Sequence, residues 1–363
     1  MRSAWELVRG HERPRAAFEH AIRSGRLTQG YVLAGPEGIG KQLFATGLAQ
    51  LLLCQSPVND PLAPCNECAS CRPFLAGSHP DYHLVQRDSG KRELTIDKML
   101  GKKEERGRAG LCHDLSLRPH EGSRKVAVIN DADTMNDETA NALLKTLEEP
   151  PERAVILLIA NNYDALLPTI RSRCQVVRLD PLPDDVLTAL LLEKDIVNTP
   201  QEAAALTSLA NGSMSVAKQL AAPSCRDLRR KLLAALSQKQ WNGIGLARDL
   251  AAAVEEAASD VPEQRLLATW LLRAAVEFYR TALWRVVHPG VTAPGGIPEA
   301  VAWIDGVHVD TESLVEWLGT LIERCLQAVA HLEQNVGVAL CLEAAFADLA
   351  RPGPGTASAN TRR

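Results

Sequence analysis

Aromatic side chains are scarce in this chain of 363 residues: Phe, Trp and Tyr together make up 4%. Rings can therefore supply only a small part of the core, and the abundant Ala and Leu favour helices. No single charge dominates. Lys and Arg number 40 against 44 Asp and Glu, a net charge of −4, so there is no global basic footprint for nucleic acid. Any contact with DNA must come from a local patch or through a larger assembly. Long apolar runs are missing too. The longest aliphatic stretch, 154–160, is far short of the roughly 20 residues that span a bilayer. The first residues include Arg2, Glu6, Arg9, Glu12, Arg13 and Arg15 without an apolar run, unlike a signal peptide. These absences predict a cytoplasmic protein with no membrane partner.

Cysteine, by contrast, is plentiful, with nine residues. An odd count without a secretory pattern argues against a disulfide framework. Four of the nine fall together, at Cys54, Cys65, Cys68 and Cys71. Two Cys-x-x-Cys steps share Cys68, and the fourth thiol lies at the end of a helical segment. Four thiolates suffice for a closed tetrahedral Zn²⁺ site with no open coordination position, hence a structural one. An iron–sulfur cluster is the rival use of four cysteines. Four unrelated buried cysteines fit poorly with the loop-like Pro57, Asp60, Pro61 and Pro64 around them. A structural zinc would contribute on the order of 10 kcal/mol to an insert with little core of its own. His79 and His83 are expected to be ordinary surface or loop residues, and the five scattered cysteines small apolar fillers.

The first half of the chain alternates in pattern. Strands are expected at 30–34, 82–85, 125–129, 154–159 and 175–179. Helices are expected at 14–24, 41–53 and 136–148, the last stopped by Pro150 and Pro151, and 96–116 is expected to be largely helical with a charged middle. Leu43, Leu48, Leu51 and Leu52 would form the apolar side of the second helix. Strands separated by helices predict an α/β domain with a mostly parallel sheet over residues 1–180, interrupted by the cysteine insert at 54–79. After Pro181 no strand pattern returns. Short helices are expected at 184–193, 201–210 and 214–221, a small helical domain over 181–222. Longer helices with breaks near 242–243, 260–262 and 289–298 follow, an all-α domain over 223–350. Residues 351–363, rich in Gly, Pro, Ser and Thr, read as a disordered tail.

The segment Tyr31-Val32-Leu33-Ala34-Gly35-Pro36-Glu37-Gly38-Ile39-Gly40-Lys41-Gln42 reads as strand, Gly-rich turn and helix start. It fits the P-loop pattern, in which backbone N–H groups cradle phosphates and the lysine reaches the outer ones. Gly35, Gly38, Gly40 and Lys41 are the candidate phosphate-binding residues. The pattern asks for Ser or Thr next, whose hydroxyl binds Mg²⁺. Gln42 stands there instead. The strand at 125–129 runs into Asn130-Asp131-Ala132-Asp133, with Asn130 where a metal-supporting aspartate belongs.

Two further motifs are more specific. Asn141-Ala142-Leu143-Leu144-Lys145-Thr146-Leu147-Glu148-Glu149-Pro150-Pro151 and the Ser-Arg-Cys motif at Ser172-Arg173-Cys174 follow the P-loop and the cysteine insert in order. In this the chain resembles the AAA+ clamp-loader subunits of bacterial DNA polymerase III, strongly over residues 10–222 and beyond that by architecture. The resemblance implies an AAA+ P-loop domain with a parallel sheet and a zinc-binding insert, a small helical lid and an all-α collar domain. It also implies gamma/tau and delta subunits as partners, with the sliding clamp and primer-template DNA reached through the complex. Arg173 is implied to be an arginine finger, acting in trans on the ATP site of a neighbouring subunit. Such a residue can be worth about 10³–10⁵ in rate. Asn161 falls at the family's first sensor position, near the γ-phosphate, and reads equally well as a turn cap.

The second sensor, Gly-Ser-x-Arg in motor subunits, is Gly212-Ser213-Met214-Ser215 here. Serine cannot offer the cationic fork of arginine. Gln42, Asn130 and Ser215 all weaken the chain's own site, while Arg173, which would serve a neighbour's, is kept. The expectation is a stator-like subunit without ATPase activity of its own, holding nucleotide or phosphate weakly. An active gamma/tau-type ATPase with unusual motifs is the alternative.

Overall fold

The computed structural model describes residues 3–353 apart from 60–61, 89–90, 92, 121–123, 239, 259–260, 292, 294–295 and 335. By its internal contacts the chain forms two compact units. One comprises the chain up to Leu187 with Asn211–Ser215. The other comprises Thr188–Ala210 and the chain from Val216 onward.

The first unit is built on five strands: β1 (Gly30–Ala34), β4 (Tyr82–Val85), β5 (Lys125–Ile129), β6 (Ala154–Ala160) and β7 (Gln175–Arg178). The short antiparallel pair β2 (Val58–Asn59) and β3 (Leu62–Ala63) lies in the cysteine insert. The five pair in the order β4-β5-β6-β1-β7, and every pairing is parallel. A parallel sheet needs helical crossovers on its faces, which buries its central strands on both sides. The sequence meets that demand with aliphatic runs, and every residue of β1, β5 and β6 is buried.

Alternation along each strand divides the core in two. Tyr31, Leu33, Val126, Val128, Leu157 and Ile159 face one layer with Phe18, Phe44 and Leu48. Val32, Ala127, Ile129, Ile156 and Leu158 face the other with Leu94, Met99, Leu115 and Leu143. The few aromatics are concentrated: Phe44 lies within 6 Å of both Trp5 and Phe18 in tilted or edge-on geometry.

The five expected strands form within one residue of the expected bounds. Three local expectations change. The stretch 96–116 is not one helix but Asp97–Leu100, a 3₁₀ turn at Lys103–Glu105 and Leu111–Ser116. Its charged middle has no apolar stripe to bury, and Gly101, Gly107 and Gly110 all take positive φ, where a helix cannot continue. Leu43 is exposed in the first turn of its helix, whereas Leu48, Leu51 and Leu52 are buried. A short helix at Ala4–Leu7, capped by Ser3 and Glu6, was not anticipated.

Among its described residues, the secondary-structure elements of the second unit are all helices, joined by turns and loops. Its longest helices are Val261–Val287 and Thr311–Glu333. Leu314, Leu318, Leu321, Cys325, Ala328 and Leu332 form the buried stripe of the latter at helical spacing. Pro223 and Pro298 each open a helix at its first turn, where a missing N–H costs nothing. Residues 354–363 of the expected tail lie outside the described residues.

Candidate nucleotide and metal sites

The phosphate loop, the Asn130–Asp133 turn and Asn161 follow β1, β5 and β6. Those strands are adjacent and parallel, so all three segments lie at the carboxyl edge of the sheet. In open α/β sheets that edge is where ligands bind. The helix Lys41–Leu53 begins there with free N–H groups, and its N-cap Gly40 takes φ 98°, a left-handed turn only glycine enters cheaply.

Lys41 is 5% exposed. Its ammonium donates to Gly35 O at 2.8 Å, to Pro36 O, and to Asn161 Oδ1 at 2.7 Å. A lysine has three donors, and here all three are engaged within the chain. Burial lowers its pKa to about 8, against the opposing charges of Asp133, Glu37 and Asp131. A phosphate entering the loop must displace at least one of these acceptors.

Asn161 is itself held in place. Asp133 Oδ2 accepts from the N–H groups of Asn161 at 3.0 Å and Asn162 at 2.9 Å. The Asn162 side chain caps the turn by accepting from Asp164 N–H. Thus the capping role belongs to Asn162, while the Asn161 side chain meets the loop lysine. Gln42 lies exposed on the helix beside the loop, with no hydroxyl to offer a metal. Asn130 donates its backbone N–H to Val85 O at 2.7 Å.

The 212–215 segment closes on the loop from the same unit. Met214 N–H donates to Gly38 O at 2.9 Å. A Cβ on Gly38, whose φ is 77°, would stand 2.2 Å from Ser213 Oγ and 2.7 Å from Ser215 Cβ. Ser215 therefore sits against the phosphate loop, in the place from which a longer cationic side chain could have reached it.

His11 is a contributor that the sequence did not reveal. It is 3% exposed, and its Nε2 lies 2.8 Å from Ile39 O, pinning the loop backbone. A lone histidine before a helix carries no pattern that would single it out. Asp133 had a weak signal as the last acid of its turn.

Arg173 lies outside this cluster, beyond the helix Pro168–Arg171. Its Nη1 donates to Thr169 O at 2.9 Å and Ser172 Oγ at 3.2 Å, and its Nη2 stands 2.7 Å from Glu148 Oε1. The side chain is 35% exposed. Glu148 ends the helix Asp137–Glu148, so two sequence motifs meet in one ion pair. Beneath it, Leu147 and Cys174 both approach Gly30 of β1. Arg171 is engaged with Asp164 at 3.0 Å and lies over the Tyr163 ring.

The cysteine insert brings all four expected thiols together. The Sγ atoms of Cys54, Cys65, Cys68 and Cys71 lie within 4.8 Å of one another. Sulfurs about 2.3 Å from a tetrahedral zinc stand about 3.8 Å apart, so the donor set fits such an ion after small shifts. Backbone N–H groups already point at the sulfurs: Cys65 N to Cys54 Sγ, Cys68 N to Cys65 Sγ and Cys71 N to Cys68 Sγ, at 3.3–3.4 Å. Burial pushes the Cys54 and Cys71 thiols up. At Cys68 burial also acts upward, but N–H donors from Cys71 and Gln55 and neighbouring thiols outweigh it and bring the thiol to about 6. The cluster can hold a metal ion.

The nearby histidines differ from expectation. His79 is 5% exposed, not a surface residue. Its Nε2 meets Ser70 Oγ at 2.8 Å, Ser70 donates on to Leu53 O, and Nδ1 accepts from Asp81 N–H. It fastens the insert to the end of β-strand entry at Asp81, whose carboxylate accepts from His120 N–H. His83 is half-buried, on β4, with Nδ1 3.9 Å from Asp114. Neither histidine joins the thiols: His79 is held by Ser70 and Asp81, and His83 Nε2 is buried without a hydrogen-bond partner.

The profile of the family described as DNA polymerase III, delta subunit, matches residues 10–183. The DNA polymerase III subunit delta' of Pseudomonas aeruginosa is 34% identical over 229 residues, 60% of this chain and 66% of that protein. That of Bacillus subtilis is 34% identical over 194 residues, 53% of this chain and 54% of its own. Over this span the chain belongs to the DNA polymerase III delta prime family. The aligned parts cover between about half and two thirds of the length of these two relatives. The tau subunit of Escherichia coli is also similar, at 30% identity over 217 residues, 59% of this chain and 32% of that protein. Among solved structures, a gamma-subunit-related protein of Thermotoga maritima aligns over 93% of this chain and 98% of its own, with 18% identity and a TM-score of 0.40. The delta prime family assignment rests on the sequence matches. The parallel sheet, the phosphate loop, the four-cysteine insert and the helical second unit agree with an AAA+ subunit of this family.

Proposed function

We propose that this chain is a stator-like delta prime subunit of the DNA polymerase III clamp loader. It does not hydrolyse ATP itself and supplies Arg173 as an arginine finger to a neighbouring ATPase subunit. One asymmetry carries this reading. The chain's own loop lacks the metal hydroxyl at Gln42, the carboxylate at Asn130 and the cation at Ser215, whereas Arg173 is kept on an accessible edge. Gly35, Gly38, Gly40, Lys41 and Asn161 then form a degenerate site that holds nucleotide or phosphate weakly and without Mg²⁺.

In this reading residues 181–222 are the lid and 223–350 the chain's part of a collar shared with gamma/tau and delta subunits. The complex opens the sliding clamp on primer-template DNA in the cytoplasm. Cys54, Cys65, Cys68 and Cys71 hold a structural Zn²⁺, whose bound form locks the insert. The N–H···S contacts favour thiolates there, as zinc requires.

The similarity to tau subunits supports a second reading, an active gamma/tau-type ATPase. Steady-state ATPase assays separate the two. The purified chain alone should show no turnover above background, and adding it to gamma/tau and delta subunits should raise theirs. Turnover by the chain alone that is lost in Lys41→Ala would overturn the stator reading.

A further inference from the structure

Within the helical unit lies a cavity of about 970 Å³. Its walls come from the helices Pro200–Ala210, Pro223–Leu236 and Val261–Val287 and from the segment around Ile297. Leu206, Leu220, Leu233 and Ile297 make much of the lining apolar. Three arginines also line it, and two of them have partners. Arg226 Nη2 stands 3.3 Å from Glu202, and Arg230 is paired with Asp227.

Arg229 is the exception. Among the described residues it makes no hydrogen bond or ion pair, and its Nε is closed off from water without an acceptor. Burial pulls its pKa down, with Glu299 acting in the opposite direction from too far away to pair. Trp270 lines the same cavity and is 3% exposed; its indole N–H is likewise buried without an acceptor. A guanidinium and an indole N–H can only donate. Buried donors left without partners cost roughly 1–3 kcal/mol each, and more when charged. What this place lacks is an acceptor, and charge favours an anionic one. The apolar walls call for an apolar body behind it. Glu202 and Glu299 also line the cavity, but Glu202 is already paired with Arg226, as Asp227 is with Arg230, and Glu299 forms no ion pair with Arg229, whose Nε still lacks an acceptor.

We propose that this cavity is a binding site for a small organic carboxylate with an aliphatic body, its carboxylate received by Arg229 and the Trp270 N–H. The site shares no residue with the phosphate loop, the cysteine cluster or Arg173, and it stands whether or not the chain acts as a stator.

The test is calorimetric titration of the full chain with octanoate, and with octanol as its uncharged twin. Octanoate should bind saturably at one site, and octanol at least tenfold more weakly. Arg229→Met should weaken octanoate at least tenfold and leave octanol unchanged. Trp270→Phe should weaken it several-fold. Arg248→Met, which removes a cation paired with Glu343 away from the cavity, should change nothing. If Arg229→Met fails to fold by circular dichroism, Arg229→Lys replaces it and should keep the preference for octanoate over octanol. Absence of saturable octanoate binding, equal binding of octanol, or full affinity in Arg229→Met would each overturn the proposal.

Discussion

Lys41 shows how one side chain can serve a fold and a ligand in turn. Its three donors are all engaged with oxygens of the chain, and burial brings its pKa to about 8. A bound phosphate needs the charged form. Below about pH 8 the lysine is charged and binding is at full strength; above that the proton must be restored first. We expect ADP affinity, measured without Mg²⁺, to fall about tenfold per pH unit above that point. A flat profile between pH 7 and 9.5 would show that the lysine does not hold the phosphates. Glu148 is the second informative residue. Its ion pair with Arg173 is half-exposed, so Glu148→Ala should cost no more than about 1 kcal/mol in urea unfolding. A larger loss would mean the pair props up the fold as well as fixing the arginine's direction.

At the scale of elements, the cysteine insert is built of very short pieces, with only a few side chains such as Leu62, Ala63 and Phe74 reaching the main core. Two-residue strands and a five-residue helix by themselves bury little surface with which to order an insert running from 54 to 79. The four thiols supply the missing constraint. The purified protein should carry one zinc per chain by elemental analysis. Cys68→Ser should lose most of it and melt several degrees lower, while Cys225→Ser, a buried cysteine of the second unit that is not among the four, should keep the metal. Full zinc content in Cys68→Ser would exclude the four-thiol site. The 96–116 stretch makes the opposite point. Its composition favours helix, but a run of charges between three glycines has nothing to pack against, and it breaks into turns. Local preference is a weak guide where no apolar stripe fixes a face.

For the whole molecule, the question is whose chemistry the chain assists. An arginine finger has no substrate until a neighbour's nucleotide comes within reach. Arg173→Ala should therefore leave the melting temperature of the isolated chain within about 2 °C, since the ion pair it makes with Glu148 is a surface one. In the complex reconstituted with gamma/tau and delta subunits it should lower ATP turnover by ten-fold or more at the site it faces. Unchanged turnover in an intact complex would remove the finger from the proposed function.

The sequence by itself determined the sheet. Aliphatic runs separated by helical patterns have one economical solution, parallel strands covered on both faces, and the five strands follow it closely. It also determined that Cys65, Cys68 and Cys71 lie together, because a Cys-x-x-Cys step leaves the thiols no room to be far apart, while Cys54 is brought to them by the fold of the insert. Only the tertiary structure decided which side chains complete those sites. His11 reaches Ile39 across 28 residues, Lys41 reaches Asn161 across 120, and Glu148 meets Arg173 through packing on Gly30. Such contacts depend on which strands lie side by side. That order, β5-β6-β1, is set by how the whole chain buries its apolar surface, and no local pattern encodes it.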